Sequence, residues 1–133
     1  MNYFISFFLH LTTNITFYMK TYLKALGSYT NYHSRASRKF FWNFILWNLI
    51  ILIPIVVAAY LLKLAITSLV IFYFLLHAIP IWSLAVRRLH DINKKGWFLL
   101  YLLIPVIGLV ITVITLCKKG NTEPNEYGMP PLD

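Results

Sequence analysis

The sequence predicts an all-α integral membrane protein with three transmembrane helices and an interfacial helix at the N-terminus. Of its 133 residues, 59% are hydrophobic and only 12% are charged, about half the charged share of soluble domains. A soluble chain of this length cannot bury so much apolar surface in one core, whereas lipid accepts it. The apolar residues also form runs close to the ~20 residues that a spanning helix needs.

Three apolar segments are long enough to cross a bilayer. They cover residues 42–62, 64–82 and 97–117, and about 20 residues of helix at 1.5 Å per residue span a ~30 Å hydrocarbon core. A lone strand would leave its backbone groups unpaired in lipid, so helices are expected. Pro54, Pro80 and Pro105 lie inside these segments, where proline is tolerated and kinks the helix. Only Lys63 separates the first two segments, which predicts a tight hairpin.

One membrane domain, residues 19–131, is predicted between an N-terminal extension and a polar end. Three interpretations stay open for the extension, residues 1–18: an interfacial helix, an extension upstream of a start at Met19, or an additional span. The polar tail, residues 118–133, is rich in turn-forming residues. It is expected to be flexible or loosely docked, and the alternative is a tail bound over the outer surface.

The distribution of Lys and Arg predicts the orientation. With the N-terminus in the cytoplasm, nine of the twelve basic residues lie inside and three outside, and the opposite orientation reverses these numbers. The positive-inside rule therefore favours N-terminus in and C-terminus out. Lys118 and Lys119 count against this arrangement, because it places both outside. Trp42, Trp82 and Trp97 would then form an aromatic belt at the inner interface.

Three polar segments resemble one family. They are residues 22–42, the loop "VRRLHDINKKGW" at 86–97 and the tail sequence "NEYG" at 125–128. They are similar to the small bacterial inner-membrane proteins of domain-of-unknown-function family 805, over about residues 19–131. The most specific signature is the run from Arg87 to Asp91 followed by Gly96-Trp97. The resemblance implies a helical protein of the bacterial inner (cytoplasmic) membrane, and it implies no particular reaction.

The first basic motif of this family also matches, with some departures. Arg35, Arg38 and Trp42 occupy the family's positions. Phe40 stands where the family usually has Glu, which leaves the motif without an acidic partner of its own. The other departures are at Ser34, Lys95 and Met129.

The basic loop offers candidate contacts to lipid. If the second helix continues past Trp82, Arg87 and Asp91 are i,i+4 neighbours and are predicted to pair. Arg88 then points elsewhere and is free to hold a lipid phosphate in bidentate fashion. The full set of candidate lipid or partner contacts is Arg35, Arg38, Arg87, Arg88, His90, Asp91 and Trp97.

No catalytic, cofactor-binding or metal site is predicted. His90-Asp91 resembles the dyads of metal phosphohydrolases, but such sites need more His and Asp ligands than this loop offers. The two residues are therefore predicted to be structural. Cys117 is the single cysteine, which excludes an internal disulfide.

A polar pair is predicted inside the first two spans. For a hairpin turning at Lys63, Asn48 and His77 lie at the same depth, roughly 8 to 9 Å from the inner interface. Polar groups in hydrocarbon usually find partners on a neighbouring helix. We therefore expect a hydrogen bond between Asn48 and His77 that holds the two helices together.

Two function classes remain from the sequence. The first is a small non-enzymatic inner-membrane protein that contacts anionic lipid headgroups, a membrane-protein partner or a second copy of itself. The second is a lipid-handling enzyme or carrier that uses residues 87–91 at the cytoplasmic interface. A nucleic-acid partner is not expected, because the cations flank apolar runs rather than forming a polar face.

Overall fold

A computed structural model describes residues 2–63 and 65–132, so Leu64, the predicted start of the second span, lies outside the described part. The elements are α1 (Asn2–Gly27), α2 (Arg38–Leu61), α3 (Ile66–Asp91), a 3-10 helix (Gly96–Leu103) and α4 (Ile107–Cys117). The described residues contain no β-strand beyond an isolated bridge between Asn125 and Gly128. The predicted all-α class is confirmed.

Helices α2 and α3 form an antiparallel pair at the centre of the molecule. In the described chain they are the two helices long and apolar enough to cross a membrane, and each contains its proline, Pro54 or Pro80, without ending there. Ser37 begins α2 by accepting a hydrogen bond from the backbone N–H of Phe40 at 3.1 Å, which satisfies one of the free donors at a helix start. The first two predicted spans therefore correspond to helices.

The third predicted span is not one helix, and this prediction is wrong. The chain forms a 3-10 helix up to Leu103, becomes extended at Ile104 and reverses at Val106, which has a φ of 62°. Pro105 has no N–H and pushes the residue before it into extended backbone. Gly108 then allows α4 to pack on the 3-10 helix, because a Cβ there would lie 1.6 Å from the carbonyl oxygen of Tyr101.

The reversal at Pro105 returns the chain to the end of the molecule from which the 3-10 helix started. The N–H of Asn121, just after α4, donates to the carbonyl of Asp91 at the end of α3, at 2.9 Å. The prediction that the tail and the loop after α3 lie on opposite sides of a membrane is therefore wrong. The 3-10 helix and α4 each extend about 16 Å, half the thickness of a hydrocarbon core.

Helix α1 runs without a break across the predicted boundary at residues 18 and 19. It is not among the helices apolar enough to cross a membrane. Its N-terminal turns are exposed where described, and its last turns pack on α2 and α3 through Tyr22 and Ala25, both buried. Among the described residues, α1 is thus held through its second half, from Tyr18 to its C-terminal end.

The two ends of the molecule differ in polarity and in how many of their residues are buried. The polar end comprises the segment before α2, the last turns of α3, the end of α4 and the tail, and the buried core lies beside it around Phe44, Leu84, Leu89 and Leu116. The far end, residues 60–63, exposes Tyr60 and its leucines to the surroundings. Such an apolar exposed surface is what lipid covers.

Candidate functional site

The polar end is organised around one carboxylate, that of Asp91. Arg35 donates to its Oδ1 from Nε at 3.1 Å and from Nη2 at 3.0 Å. Arg88 donates from Nη1 to Oδ2. The two guanidinium groups are far apart in the sequence, one before α2 and one inside α3, and all three side chains are buried.

The remaining donors of the two arginines bind the backbone of the C-terminal segment. Arg35 Nη1 donates to the carbonyls of Glu123 at 2.9 Å and Gly128 at 3.1 Å. Arg88 Nε donates to the carbonyl of Leu116 at 3.1 Å, and its Nη2 donates to that of Lys118. Charged donors to carbonyls at a helix end are stronger than neutral ones. The tail is therefore bound to the helices by charge-assisted hydrogen bonds, which the sequence did not predict.

Gly120 makes the close approach of the tail possible. A Cβ at this position would lie 2.0 Å from Oδ2 of Asp91. Any other residue would force the tail or the carboxylate to move. We call the assembly of Arg35, Arg88, Asp91 and residues 120–128 the clasp.

His90 extends the clasp along the tail. Its ring stacks on Tyr127, with centroids 3.7 Å apart and planes 4° from parallel, and its carbonyl accepts a hydrogen bond from Asn125 Nδ2 at 2.8 Å. His90 lies eight residues beyond Trp82, outside the apolar segment of α3. Burial lowers its pKa below the ordinary value of 6.5, and nearby His33 adds to this, while the Ser34 backbone opposes it. Burial thus favours a neutral ring at neutral pH.

The structure reverses the predicted roles of the two adjacent arginines. Arg88, 0% exposed, pairs with Asp91 at i,i+3 spacing, so it is not free for a lipid phosphate. Arg87 points to another side of α3 and donates from Nη1 to the hydroxyl of Ser28 at 3.1 Å. The predicted Arg87–Asp91 pair is wrong, because the tail and Arg35 place the carboxylate on the side of Arg88.

The other predicted contact residues form two groups, one buried and one exposed. Arg35, His90 and Asp91 are buried in the clasp and bind within the chain. Arg38 stays exposed and reaches the carbonyl of Cys117 at 3.4 Å with one nitrogen. Trp97 is 76% exposed at the start of the 3-10 helix. Arg38 and Trp97 are the members of the predicted set that face outward in the described chain.

A second polar group lies between α1, α2 and α3. The Tyr73 hydroxyl donates to the carbonyl oxygens of Asn48, at 2.9 Å to the main chain and 3.0 Å to Oδ1. His77 Nδ1 donates to the carbonyl of Tyr73 at 2.9 Å, so Nε2 accepts from the Tyr22 hydroxyl, 3.1 Å away. We call these four residues the polar chain.

The predicted hydrogen bond between Asn48 and His77 is therefore wrong. Both residues lie in the polar chain, but Asn48 meets Tyr73, one turn before His77, and His77 is bonded to α1 instead. The pairing of α2 with α3 is shifted by about one turn from the depth match that a hairpin at Lys63 suggests. Tyr22 and Tyr73 each carry a hydroxyl that needs a hydrogen-bond partner when it is buried. Their positions in the sequence could therefore have indicated these contacts.

The clasp has few polar groups free to contact a substrate. Both oxygens of Asp91 already accept from guanidinium groups, and Arg88 is sealed from solvent. Within residues 2–63 and 65–132, no three His, Cys, Asp or Glu side chains form a group that could hold a metal ion. The arrangement is that of a structural core built from charges.

The comparisons with known proteins identify the family. A family model described as a protein of unknown function, DUF805, matches residues 29–129, which include the clasp, α2, α3 and most of the tail. The chain belongs to this family. The resemblance inferred from the basic motifs is thereby confirmed.

Two curated relatives of the family come from Escherichia coli K12. Inner membrane protein YhaI is 35% identical over 113 residues, which cover 85% of this chain and 96% of the relative. Inner membrane protein YhaH is 34% identical over 117 residues, covering 85% and 97%. No solved structure matches the chain. The predicted class, a helical integral membrane protein, is confirmed by these relatives and by α2 and α3.

Proposed function

We propose that the protein is a non-enzymatic inner-membrane protein whose cytoplasmic end binds anionic phospholipid headgroups. One observation carries this proposal. Seven exposed basic side chains surround the polar end, an eighth, Lys20, is exposed about one turn before Lys24 on α1, and Lys63 is the exposed cation at the far end. We call these seven residues the basic rim: Lys24, Arg38, Lys39, Lys94, Lys95, Lys118 and Lys119.

The basic rim has the charge and position of a headgroup contact. Each cation next to an anionic membrane surface is worth about 1 kcal/mol, and the attraction decays within a Debye length. The clasp supports a binding role rather than an enzymatic one, because its carboxylate and guanidinium groups are occupied by each other. The rim, by contrast, leaves its charges exposed beside apolar helix surface.

Lipid analysis of the protein purified from native membranes tests the proposal. Replacing four rim residues by glutamine (Arg38→Gln, Lys39→Gln, Lys94→Gln and Lys95→Gln) is expected to lower the fraction of anionic lipid that co-purifies, and added salt is expected to lower it in the wild type. Lys63→Gln is the matched control at the far end and is expected to change nothing. An anionic fraction equal in all three proteins contradicts the proposal.

The proposal includes an orientation with the polar end in the cytoplasm. Because the tail binds the end of α3, eleven of the twelve Lys and Arg then belong on the inner side. In a Cys117→Ser background, a cysteine at Glu123 is expected to react with an impermeant thiol reagent only after permeabilisation. A cysteine at Lys63 is expected to react in intact spheroplasts. Labelling of the Glu123 position in intact spheroplasts contradicts this orientation.

A further inference from the structure

Among the buried arginines of the described chain, Arg87 is the one whose hydrogen bonding is incomplete. It is 5% exposed, and Nη1 donates to the hydroxyl of Ser28. Its Nε and Nη2 are buried and have no acceptor among the described residues. Arg88, the next residue, has Nε, Nη1 and Nη2 all bonded. The difference leaves one edge of the Arg87 guanidinium, formed by Nε and Nη2, without a partner.

The charge of Arg87 is also unbalanced within the described chain. Asp91 already accepts from Arg35 and Arg88, and Glu123 and Glu126 are exposed in the tail. A guanidinium buried with only a neutral hydroxyl beside it carries a large desolvation penalty. An anion with at least two acceptor oxygens would remove this penalty.

The unpartnered edge has the geometry that recognises a phosphate or carboxylate. Nε and one Nη of arginine present two parallel donors, which match two oxygens of such a group. The Ser28 hydroxyl accepts from Nη1 and donates its own proton to the carbonyl of Lys24 at 2.8 Å, so it fixes the position of the guanidinium. Nε and Nη2 of Arg87 thus offer two donors to one anion.

The depth of Arg87 favours the phosphate of a phospholipid. Trp82 is exposed where the apolar segment of α3 ends, and Arg87 lies five residues further, about 7.5 Å along the helix. The headgroup layer outside the hydrocarbon core is about 5 to 7 Å thick on each side. The Cα of Arg87 thus lies at the outer boundary of this layer, and because helix side chains lean toward the helix N-terminus, its guanidinium reaches back to the level of the lipid phosphates.

We propose that Arg87, held in place by Ser28, forms a buried site for the phosphate of one anionic phospholipid. The site lies under residues 28–36, which connect α1 to α2 and are held to α3 by hydrogen bonds from Ser83 to Asn31 and from Ala36 to Arg87. The site is distinct from the basic rim, whose charges are exposed and bind lipid without a fixed position.

Native mass spectrometry of the full chain released from phosphatidylcholine nanodiscs with one-tenth phosphatidylglycerol tests the site. The wild type is expected to retain one phosphatidylglycerol per chain. Arg87→Lys keeps the charge but loses the two-donor edge, and it is expected to lower this occupancy by roughly tenfold. The matched control, Lys63→Gln, removes an exposed charge at the far end and is expected to keep the single bound lipid.

The possible results test the site itself and distinguish a lipid phosphate from a free anion. Retention of the lipid by a folded Arg87→Lys protein, checked by circular dichroism and gel filtration, overturns the proposal. So does binding of inorganic phosphate by the delipidated protein when phosphatidylglycerol is not retained, because the ligand is then a free anion. If Arg87→Lys does not fold, Ser28→Ala takes its place and is expected to weaken retention. Loss of the bound lipid in a Lys94→Gln and Lys95→Gln variant, with retention in Arg87→Lys, overturns the site and leaves the rim proposal standing.

Discussion

The clasp and the polar chain are two ways of burying polar groups in one small membrane protein. The clasp, at the polar end, uses full charges: a carboxylate between two guanidinium groups, with the tail's carbonyls around them. The polar chain, further inside the helix pair, uses an amide, two phenols and an imidazole. Charged groups are placed where water and headgroups are near during folding, and neutral groups where hydrocarbon surrounds the helices.

The two regions also differ in what they connect. The clasp joins segments far apart in sequence, the residues before α2, the end of α3 and the tail, so removing one charge affects all three. The polar chain joins helices that already pack through apolar side chains. We therefore expect large effects from changes in the clasp and small effects from changes in the polar chain.

Asp91→Asn is expected to have the largest effect. It leaves two buried guanidinium groups without a carboxylate, and breaking a buried ion pair in this way costs about 3–5 kcal/mol. The free energy of unfolding in detergent, measured by denaturant titration, should fall by this amount. Glu126→Gln is the control, because Glu126 is an exposed acid of the same tail. Equal stabilities for both variants would mean that the clasp is not a structural core.

Gly120→Ala is expected to have the next largest effect. The added Cβ would collide with the Asp91 carboxylate, and such overpacking costs about 1–3 kcal/mol. The tail should become accessible to a protease added to the solubilised protein, while α2 and α3 remain paired. Gly27→Ala is the matched control, since a Cβ at Gly27 meets nothing within 4 Å. A tail equally protected in both variants would show that it docks without the close contact at Gly120.

In the polar chain, a double-mutant cycle of Asn48→Leu with Tyr73→Phe is expected to give a coupling energy smaller than the effects of the two clasp variants. Hydrogen bonds between membrane helices contribute about 0.6 kcal/mol on average, with a maximum near 1.7 kcal/mol. The coupling of Asn48 with Tyr73 should exceed that of Asn48 with His77, measured by the same unfolding experiment. A larger coupling between Asn48 and His77 would restore the direct contact that depth matching suggests.

The smallest expected effect is the pH dependence of tail docking. The pKa of His90 is lower in the folded protein than its ordinary value of 6.5, so the unfolded or undocked state binds the proton more readily. Docking is therefore fully stable above about pH 6.5 and weakens as the pH falls below it. Protease protection of the tail at pH 7.5 and pH 5 measures this. His90→Phe, which keeps an aromatic ring against Tyr127, should reduce the difference, and an unchanged difference would assign it to another group.

Prediction from the sequence worked where composition or a local motif carries the information. The first two spans follow from unbroken apolar runs, and the family follows from the residues around Arg87 and Asp91. The prediction of a third spanning helix failed, although the sequence indicates a reversal there. Gly108 follows Pro105 by three residues, and neither Pro54 nor Pro80 has a glycine near it. A proline alone kinks a membrane helix, whereas a proline with a glycine allows the backbone to fold back on itself.

By itself, the amino-acid sequence determined that this chain is helical and lies in a membrane, because apolar runs of spanning length have no other stable state. It also concentrated the basic residues beside these runs. Only the tertiary structure decided which charged side chains are paired inside the protein and which remain available to lipid. Arg87 and Arg88 are identical and adjacent, yet one has a carboxylate and the other does not. The position of the tail determines this, and the tail's carbonyls reach Arg88 only after the chain has reversed at Pro105.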